Sequence, residues 1–328
     1  MFDLNKIDSV TVGVIGDLAM DIYWYADMKK SELSRETPHY PLPVVREVMS
    51  LGAGGNVAAN LAALVPKKLL VCGVCGDDWR ADILRRHLED IGADTSGLIT
   101  EPGRFTQTYC KPMRMGISDT VYEDPRIDFS ATEDISADTE AEVLAWLDKV
   151  DGELDVLCVC DQFHHGIITD AVLKRLRSMK TLLVVDSRYR IECYGENAIL
   201  KPNEDECLRA LAALGESTHT TPEDMAQCLC ARTGADVILT LGERGSLFMS
   251  KKRGISVKTD AVVWDCPIDI CGAGDTSLSA FAATLAAGAT PAEAAQVASY
   301  ASAVTVRKLA TTGCASRDEI VAVIKSLS

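Results

Sequence analysis

The sequence predicts an α/β protein: a mainly parallel sheet covered by helices on both faces, with a small flap beside it. Three observations carry this expectation. Strand-like runs alternate with helical patterns along the chain. Those strand-like runs are continuously apolar, as buried parallel strands are, with no in-and-out alternation. Two segments, from about Tyr23 to Met49 and from about Arg104 to Phe129, break the rhythm with short alternating runs and no crossover helix.

Taken in order, the strands read "VTVGVIGD", "KLLVCGVCG", "DVLCVCD", "TLLVVDS" and "ADVILTLG". Between and after them lie the helical patterns "NVAANLAALV", "WRADILRRHLEDIG", "ITDAVLKRLRSM" and "EDMAQCLCARTG". The segment Thr276 to Ala287 is apolar almost all round, which fits a helix packed inside a domain. The two irregular segments are expected to form an antiparallel flap. No repeat, low-complexity block or proline-rich linker divides the 328 residues, so 1–328 is taken as one domain.

Composition narrows the function classes. Hydrophobic residues are 47% and charged residues 25%, an ordinary globular balance. The formal charge of −15 argues against a nucleic-acid surface, which needs a basic stripe. No apolar run reaches the roughly 18–20 residues needed to span a bilayer. The opening "MFDLNKIDSVTVGVIGD" lacks a basic region, an apolar stretch and a cleavage site, so a cytoplasmic location with reduced thiols is expected. The pair Cys72 and Cys75 has no second pair at zinc-site spacing and lies in a strand-like run, so a buried structural role is expected. Cys158 and Cys160 read as strand core in the same way.

In open α/β folds ligands sit beyond the carboxyl ends of the strands. Polar residues cluster there: Asp17 and Asp21, Asp161, Asp186, and Thr240 with Gly242. The stretch "DICGAGDTSLSAF" places glycines and Asp275 just before the apolar helix. Glycines at a helix start let the backbone approach an anion, while an aspartate there is also a common N-terminal cap. The Walker phosphate loop, the nucleophile elbow and the zinc signature H-E-x-x-H are absent. "GAGGN", Gly52 to Asn56, lacks the third glycine of a dinucleotide fingerprint and does not open the first βα turn, so NAD binding is discounted.

"DICGAGD" resembles the C-terminal signature of the ribokinase-like, or PfkB, sugar kinases, with Asp269, Gly272, Ala273, Gly274 and Asp275 all fitting. Ile270 and Cys271 depart from that signature without removing a catalytic group. "GDLAMD" resembles the family's first-strand substrate motif, with Asp21 as the residue that holds sugar hydroxyls. "GAGGNVAANLAAL" resembles its N-terminal glycine signature, with Gly52, Gly54 and Asn56 in place and Ala53 where a second glycine is common. "KPNEDE" matches the Asn-x-x-Glu element at Asn203 and Glu206, and "TLGERGS" the nucleotide loop at Thr240, Gly242 and Gly245.

The resemblance implies a ribokinase-like three-layer α/β/α fold, with the flap as β-lid. It implies ATP- and magnesium-dependent phosphorylation of a sugar or sugar-phosphate hydroxyl, with a monovalent cation as a further candidate cofactor. Asp275 would be the base and the amides of Gly272, Ala273 and Gly274 the anion hole. Asp17, Asp21, Gly52, Gly54, Asn56 and Asp161 would line the sugar side. Asn203 and Glu206 would act on magnesium through waters.

"IGDLAMDIYWYA", "PLPVV", "RIDF" and "DQFHHGIITDAVL" look most like the kinase half of heptose-phosphate kinases, although "FHH" and the lid spacing depart from that branch. For a phosphorylated sugar, Lys111, Arg114 and Arg126 are candidate cations, with solvated flap charges as the alternative. His164 and His165 would either line the sugar pocket or cap the following helix. Ser299 stands where the branch tends to have asparagine, near the adenine. A nucleoside kinase and a non-catalytic sugar or nucleotide sensor are the competing functions. The lid aromatics Tyr23, Trp24, Tyr25 and Tyr122, with Val121, predict a homodimer through the lid.

Overall fold

The computed structural model describes residues 2–216, 221–309 and 311–327. Among these, a nine-stranded sheet runs in the spatial order Ile255–Thr259, Ser246–Ser250, Asp236–Thr240, Ala198–Leu200, Leu182–Ser187, Val156–Asp161, Thr11–Gly16, Lys68–Cys75 and Asp94–Thr100. The last seven in that order are parallel, and the first two add as an antiparallel hairpin at one edge. Every strand expected from the sequence is present.

Helices cover both faces, giving a three-layer α/β/α sandwich with two cores. Side chains alternate across a strand, so Val156, Cys158 and Cys160 join one core while Leu157 and Val159 join the other. Gly54–Ala63, Trp79–Asp90, Ala273–Ala286, Pro291–Thr305 and Arg317–Leu327 pack on the first face. Ala137–Val150, Asp170–Arg177, Glu204–Ala213 and Pro222–Thr233 pack on the second. Ala137–Val150 is a helix the apolar patterning did not reveal. Its first turn carries Asp138 and Glu140 after the capping Ser136, and only one face is buried. Cys72, Cys75, Cys158 and Cys160 are buried free thiols inside strands, and burial pushes each of them up. No helix among the described residues is long and apolar enough to cross a membrane.

The flap is a second sheet made of Val44–Ala53, Leu18–Asp27, Thr108–Met115, Tyr122–Glu123 and Ile127–Phe129. It corrects the sequence expectation in three ways. Leu18–Asp27 and Thr108–Met115 run parallel. The chain between them passes through the flap strand Val44–Ala53, two strands of the main sheet and two helices, which is the long crossover that parallel pairing needs. The flap also begins earlier than expected, at Leu18, so Asp21 sits within a flap strand and not in a turn. Third, Tyr23 and Tyr25 are buried against Met113, and the Arg46 guanidinium lies 3.6 Å from the Tyr25 ring centre.

The switch from main sheet to flap happens at Gly16, whose φ is +144°. A side chain there would collide with the Cys160 carbonyl, so the neighbouring strand can approach closely only at glycine. The second switch, from flap to helix, falls on Ala53. This alanine holds φ at +47°, in the region that favours glycine. The chain therefore keeps the backbone path of a glycine signature without the glycine.

Candidate active site

Asp275 lies in the first turn of Ala273–Ala286, yet it does not cap that helix. The N-cap is Gly272, in the left-handed region at φ +77°, and no side chain caps the turn. The Asp275 carboxylate instead accepts a hydrogen bond of 2.7 Å from the Asn56 amide, contributed by the helix Gly54–Ala63. A Cβ on Gly272 would come within 2.8 Å of that same amide nitrogen, so the turn closes onto Asn56 only with glycine. Two further bridges lace the helices together. Thr276 donates to Asn60 at 2.9 Å, and Ser279 donates to the Val57 carbonyl at 3.0 Å. Burial, opposed by the Asn56 hydrogen bond and reinforced by Asp186, pushes the Asp275 carboxyl up to about 7.

Beside this turn, Lys201 follows the strand Ala198–Leu200 and ion-pairs with Asp186 at 2.9 Å. Both are buried, at 3% and 7% exposure. Asn203 and Glu206 form a capping box on Glu204–Ala213: Glu206 N–H donates to Asn203 Oδ1 at 2.9 Å, and Asn203 N–H donates to Glu206 Oε2 at 2.9 Å. Burial and the adjacent Asp186 raise the Glu206 carboxyl. Two hard oxygen donors lie side by side here and are only partly neutralised, a donor set that suits magnesium. Thr240 donates to the Pro202 carbonyl at 3.2 Å, and Gly242 and Gly245 both take positive φ in the loop that follows.

On the lid side, Asp21 ion-pairs with Lys111 at 3.0 Å, and Lys111 also donates to the Tyr23 hydroxyl at 3.0 Å. Burial pushes Lys111 down, but the Asp21 carboxylate and the Tyr23 hydroxyl more than reverse this and hold it charged. Gly52 backs Asp21, with room for a Cβ only 3.0 Å from Asp21 Oδ2.

Residues 169–318 match the pfkB family carbohydrate kinase domain. Those residues carry a pfkB family carbohydrate kinase domain. It is 32% identical to bifunctional protein HldE of Citrifermentans bemidjiense over 97% of this chain and 64% of that protein. The figures for HldE of Geotalea uraniireducens are 33%, 95% and 62%. The chain thus spans less than two thirds of the length of these relatives. In fold it is similar to ribokinase from Thermotoga maritima, with a TM-score of 0.72 at 21% identity, covering 96% of this chain and 99% of that one. Escherichia coli phosphofructokinase-2 in complex with potassium gives 0.75 at 17% identity, covering 97% and 99%.

The structure separates the sequence-predicted residues into two groups. Asn56 bonds to Asp275 of the Gly272–Asp275 turn, the charge of Asp21 is felt at Asp275, and Glu206, boxed with Asn203, is felt by the Lys201–Asp186 pair that neighbours the turn. Asp17 and Asp161, expected on the sugar side, have their carboxylates taken by their own chain. Asp17 is 2% exposed and accepts the backbone N–H groups of Gln162, Phe163 and Ile167. Asp161 is 3% exposed and holds Ser187, Arg190 and Tyr194. Each shapes a loop: one presents Phe163 and His164, the other Arg188 and Tyr189. Gly54 serves the backbone, donating its N–H to the Asp17 carbonyl at 2.8 Å.

His164 stacks on Tyr189 at 4.0 Å, and His165 contacts Asp134 at 2.8 Å. Neither caps Asp170–Arg177, which Thr169 caps. Of the lid cations, Arg114 pairs with Asp124 and Arg126 with Asp128, while Arg126 also lies over the Tyr109 ring at 4.4 Å. Ser299 donates to the Asp260 carbonyl at 2.9 Å. The sequence analysis missed Lys201, although the lysine stands two residues before the Asn203 motif.

Proposed function

We propose that the chain transfers the terminal phosphoryl group of ATP to a hydroxyl of a sugar or sugar phosphate, with Asp275 as the general base. One observation supports this most: the Asp275 carboxylate is oriented by a partner helix and stands free of its own helix end, beside a glycine turn. The acceptor oxygen would form a bond to the terminal phosphorus as the bond to the bridging oxygen breaks. The acceptor proton would pass to Asp275, and the electron pair would leave with ADP. The amides of the Gly272–Gly274 turn would hold the charge on the phosphoryl oxygens. Magnesium, when bound, neutralises phosphate charge; Asn203 and Glu206 would act on its water shell. Potassium against sodium in the assay tests the monovalent cation.

An anionic acceptor is favoured by the cations on the lid side. Lys111, Arg126 and Arg188 stand around Tyr23 and Tyr109, where their charges are felt by the phenols. A panel of sugars, sugar phosphates and nucleosides, read by ADP release, tests the proposal. Strongest release with a sugar or sugar phosphate supports it, and release only with nucleosides would assign a nucleoside kinase. Binding without ADP release from any acceptor would favour the sensor.

Glu206→Gln separates the capping role from the metal role, because glutamine also completes a capping box. The expected result is an unchanged melting temperature and a raised magnesium requirement in a titration of turnover. Unchanged magnesium dependence would leave Glu206 as a cap alone.

The lid also supports a homodimer. Val44–Ala53 is an edge strand of the small sheet, and Val44 is 50% and Tyr122 47% exposed. An exposed apolar strand edge is an invitation to pair. Light scattering at micromolar protein, with and without sugar and nucleotide, should give twice the chain mass. A monomer mass under every condition would exclude it.

A further inference from the structure

The loop between the helices Pro291–Thr305 and Arg317–Leu327 lies against the turn that opens the Asp275 helix, and the proposed mechanism gives it no task. Three contacts hold it there. The Asp269 N–H donates to the Val306 carbonyl at 2.7 Å, where the loop begins. The Thr312 Cα lies 3.8 Å from the point where a Cβ on Gly272 would stand, so the loop packs on the residue that starts the helix. Thr312 also donates to the Leu51 carbonyl at 3.3 Å and shares a hydrogen bond of 3.2 Å with Ser50. Leu51 precedes the Gly52 that backs Asp21. One loop therefore touches both the Asp275 turn and the strand behind Asp21.

A single lysine gives this loop its shape. The Lys308 ammonium donates to the Cys314 carbonyl at 2.6 Å and ion-pairs with Glu319 at 2.7 Å. The first of these bonds closes the loop on itself. The lysine stem lies across Gly313, where a Cβ would stand 2.8 Å from Lys308 Cδ and 3.0 Å from its Cβ. Only glycine leaves the stem that path. Glu319 is fixed in turn, because its other oxygen accepts from the Ser316 N–H at 2.9 Å and the Ser316 hydroxyl at 2.8 Å. The Cys314 thiol, which burial pushes up to about 11, feels the charges of both Lys308 and Asp275. The Lys308 and Glu319 side chains are 34% and 41% exposed, and ion pairs so open to water add little to stability. What this one supplies is the path of the loop.

We propose that Lys308 is a positioning residue: its ammonium, held by Glu319, draws the Cys314 carbonyl inward and keeps Thr312 pressed on Gly272, fixing the anion-hole turn for phosphoryl transfer. This rests on the kinase function proposed above and adds a residue that acts through the turn, without touching substrate. Amides of an anion hole are effective only when held in place before the reaction. A displacement of about 1 Å can cost about 10² in rate.

The test uses the full chain with Lys308→Met, Gly313→Ala and the double variant. Lys308→Met strands no buried charge, since Glu319 is partly exposed, and its melting temperature should stay close to the parent's. Gly313 does not take a positive φ, so alanine suits its backbone and displaces only the lysine stem. Turnover at saturating substrates should fall roughly 10–10²-fold in Lys308→Met, with nucleotide and acceptor KM within about threefold of the parent. Gly313→Ala should lose a similar factor, and the double variant should lose no more than Lys308→Met alone. Amide exchange read by mass spectrometry follows the turn without any turnover. The peptide spanning residues 269–276 should exchange faster in Lys308→Met than in the parent. Parent-like turnover or parent-like exchange in Lys308→Met would overturn the assignment, as would additive losses in the double variant or a loss carried by KM. A parent chain that releases ADP with none of the acceptors would refute the kinase proposal, and the exchange comparison would still decide whether Lys308 holds the turn.

Discussion

Asp275→Asn is expected to lower turnover by about 10²–10⁴-fold while ATP binding survives. Asparagine keeps the shape and can still accept the Asn56 hydrogen bond, so the turn should persist without its base. Wild-type activity should carry the signature of the same carboxyl. Burial and Asp186 raise it to about 7, so kcat/KM should fall roughly tenfold per pH unit below that value, where the base is protonated.

Stability should move the other way. The folded carboxyl titrates near 7 against an ordinary 3.8, so the folded state binds the extra proton between these values. That contribution is complete below about 4 and is lost as pH rises through about 7. Asp275→Asn removes the cost of burying the charge, so its melting temperature should exceed the parent's by more at pH 8 than at pH 5. Near-normal turnover in a folded variant would remove Asp275 from the mechanism. A melting difference that does not grow with pH would place its titration elsewhere.

Asp161→Ala should cost about 3–5 kcal/mol of folding stability, the range for leaving buried charge and polar partners alone. The carboxylate accepts from the Ser187 and Tyr194 hydroxyls at 2.8 Å each and from Arg190 at 3.0 and 3.2 Å. Tyr194 is fully buried, so its hydroxyl has no water to turn to. Urea unfolding reads the loss directly. Acceptor KM should also rise, because Arg188 and Tyr189 sit on the loop that this carboxylate holds. Unchanged stability with a raised KM alone would instead make Asp161 a substrate ligand, as the sequence resemblance implied.

The contrast between these two aspartates shows where sequence reading reaches its limit. Asp161 ends an apolar strand and reads as a substrate ligand, whereas Asp275 precedes an apolar helix and reads as the base. Asp275 meets Asn56 across 219 positions, while Asp161 meets Arg190, Tyr194 and Ser187 in a loop of its own chain. Spacing along a strand says that a side chain lies at a sheet end. It does not say which neighbouring loop reaches that end first.

By itself, the sequence determined the properties that are local. Continuous apolar runs determined the buried strands, amphipathic spacing determined several of the helices, and the glycines of "CGAGD" marked the turn that presents Asp275. Resemblance then tied those pieces to a kinase family. Only the tertiary structure decided the parallel pairing inside the lid, the positive φ carried by Ala53, the inward use of Asp17 and the Lys201–Asp186 pair. Each of these depends on which distant segments are brought within a few ångströms. Burial and hydrogen bonding between such segments are properties of packing, and no local periodicity encodes them.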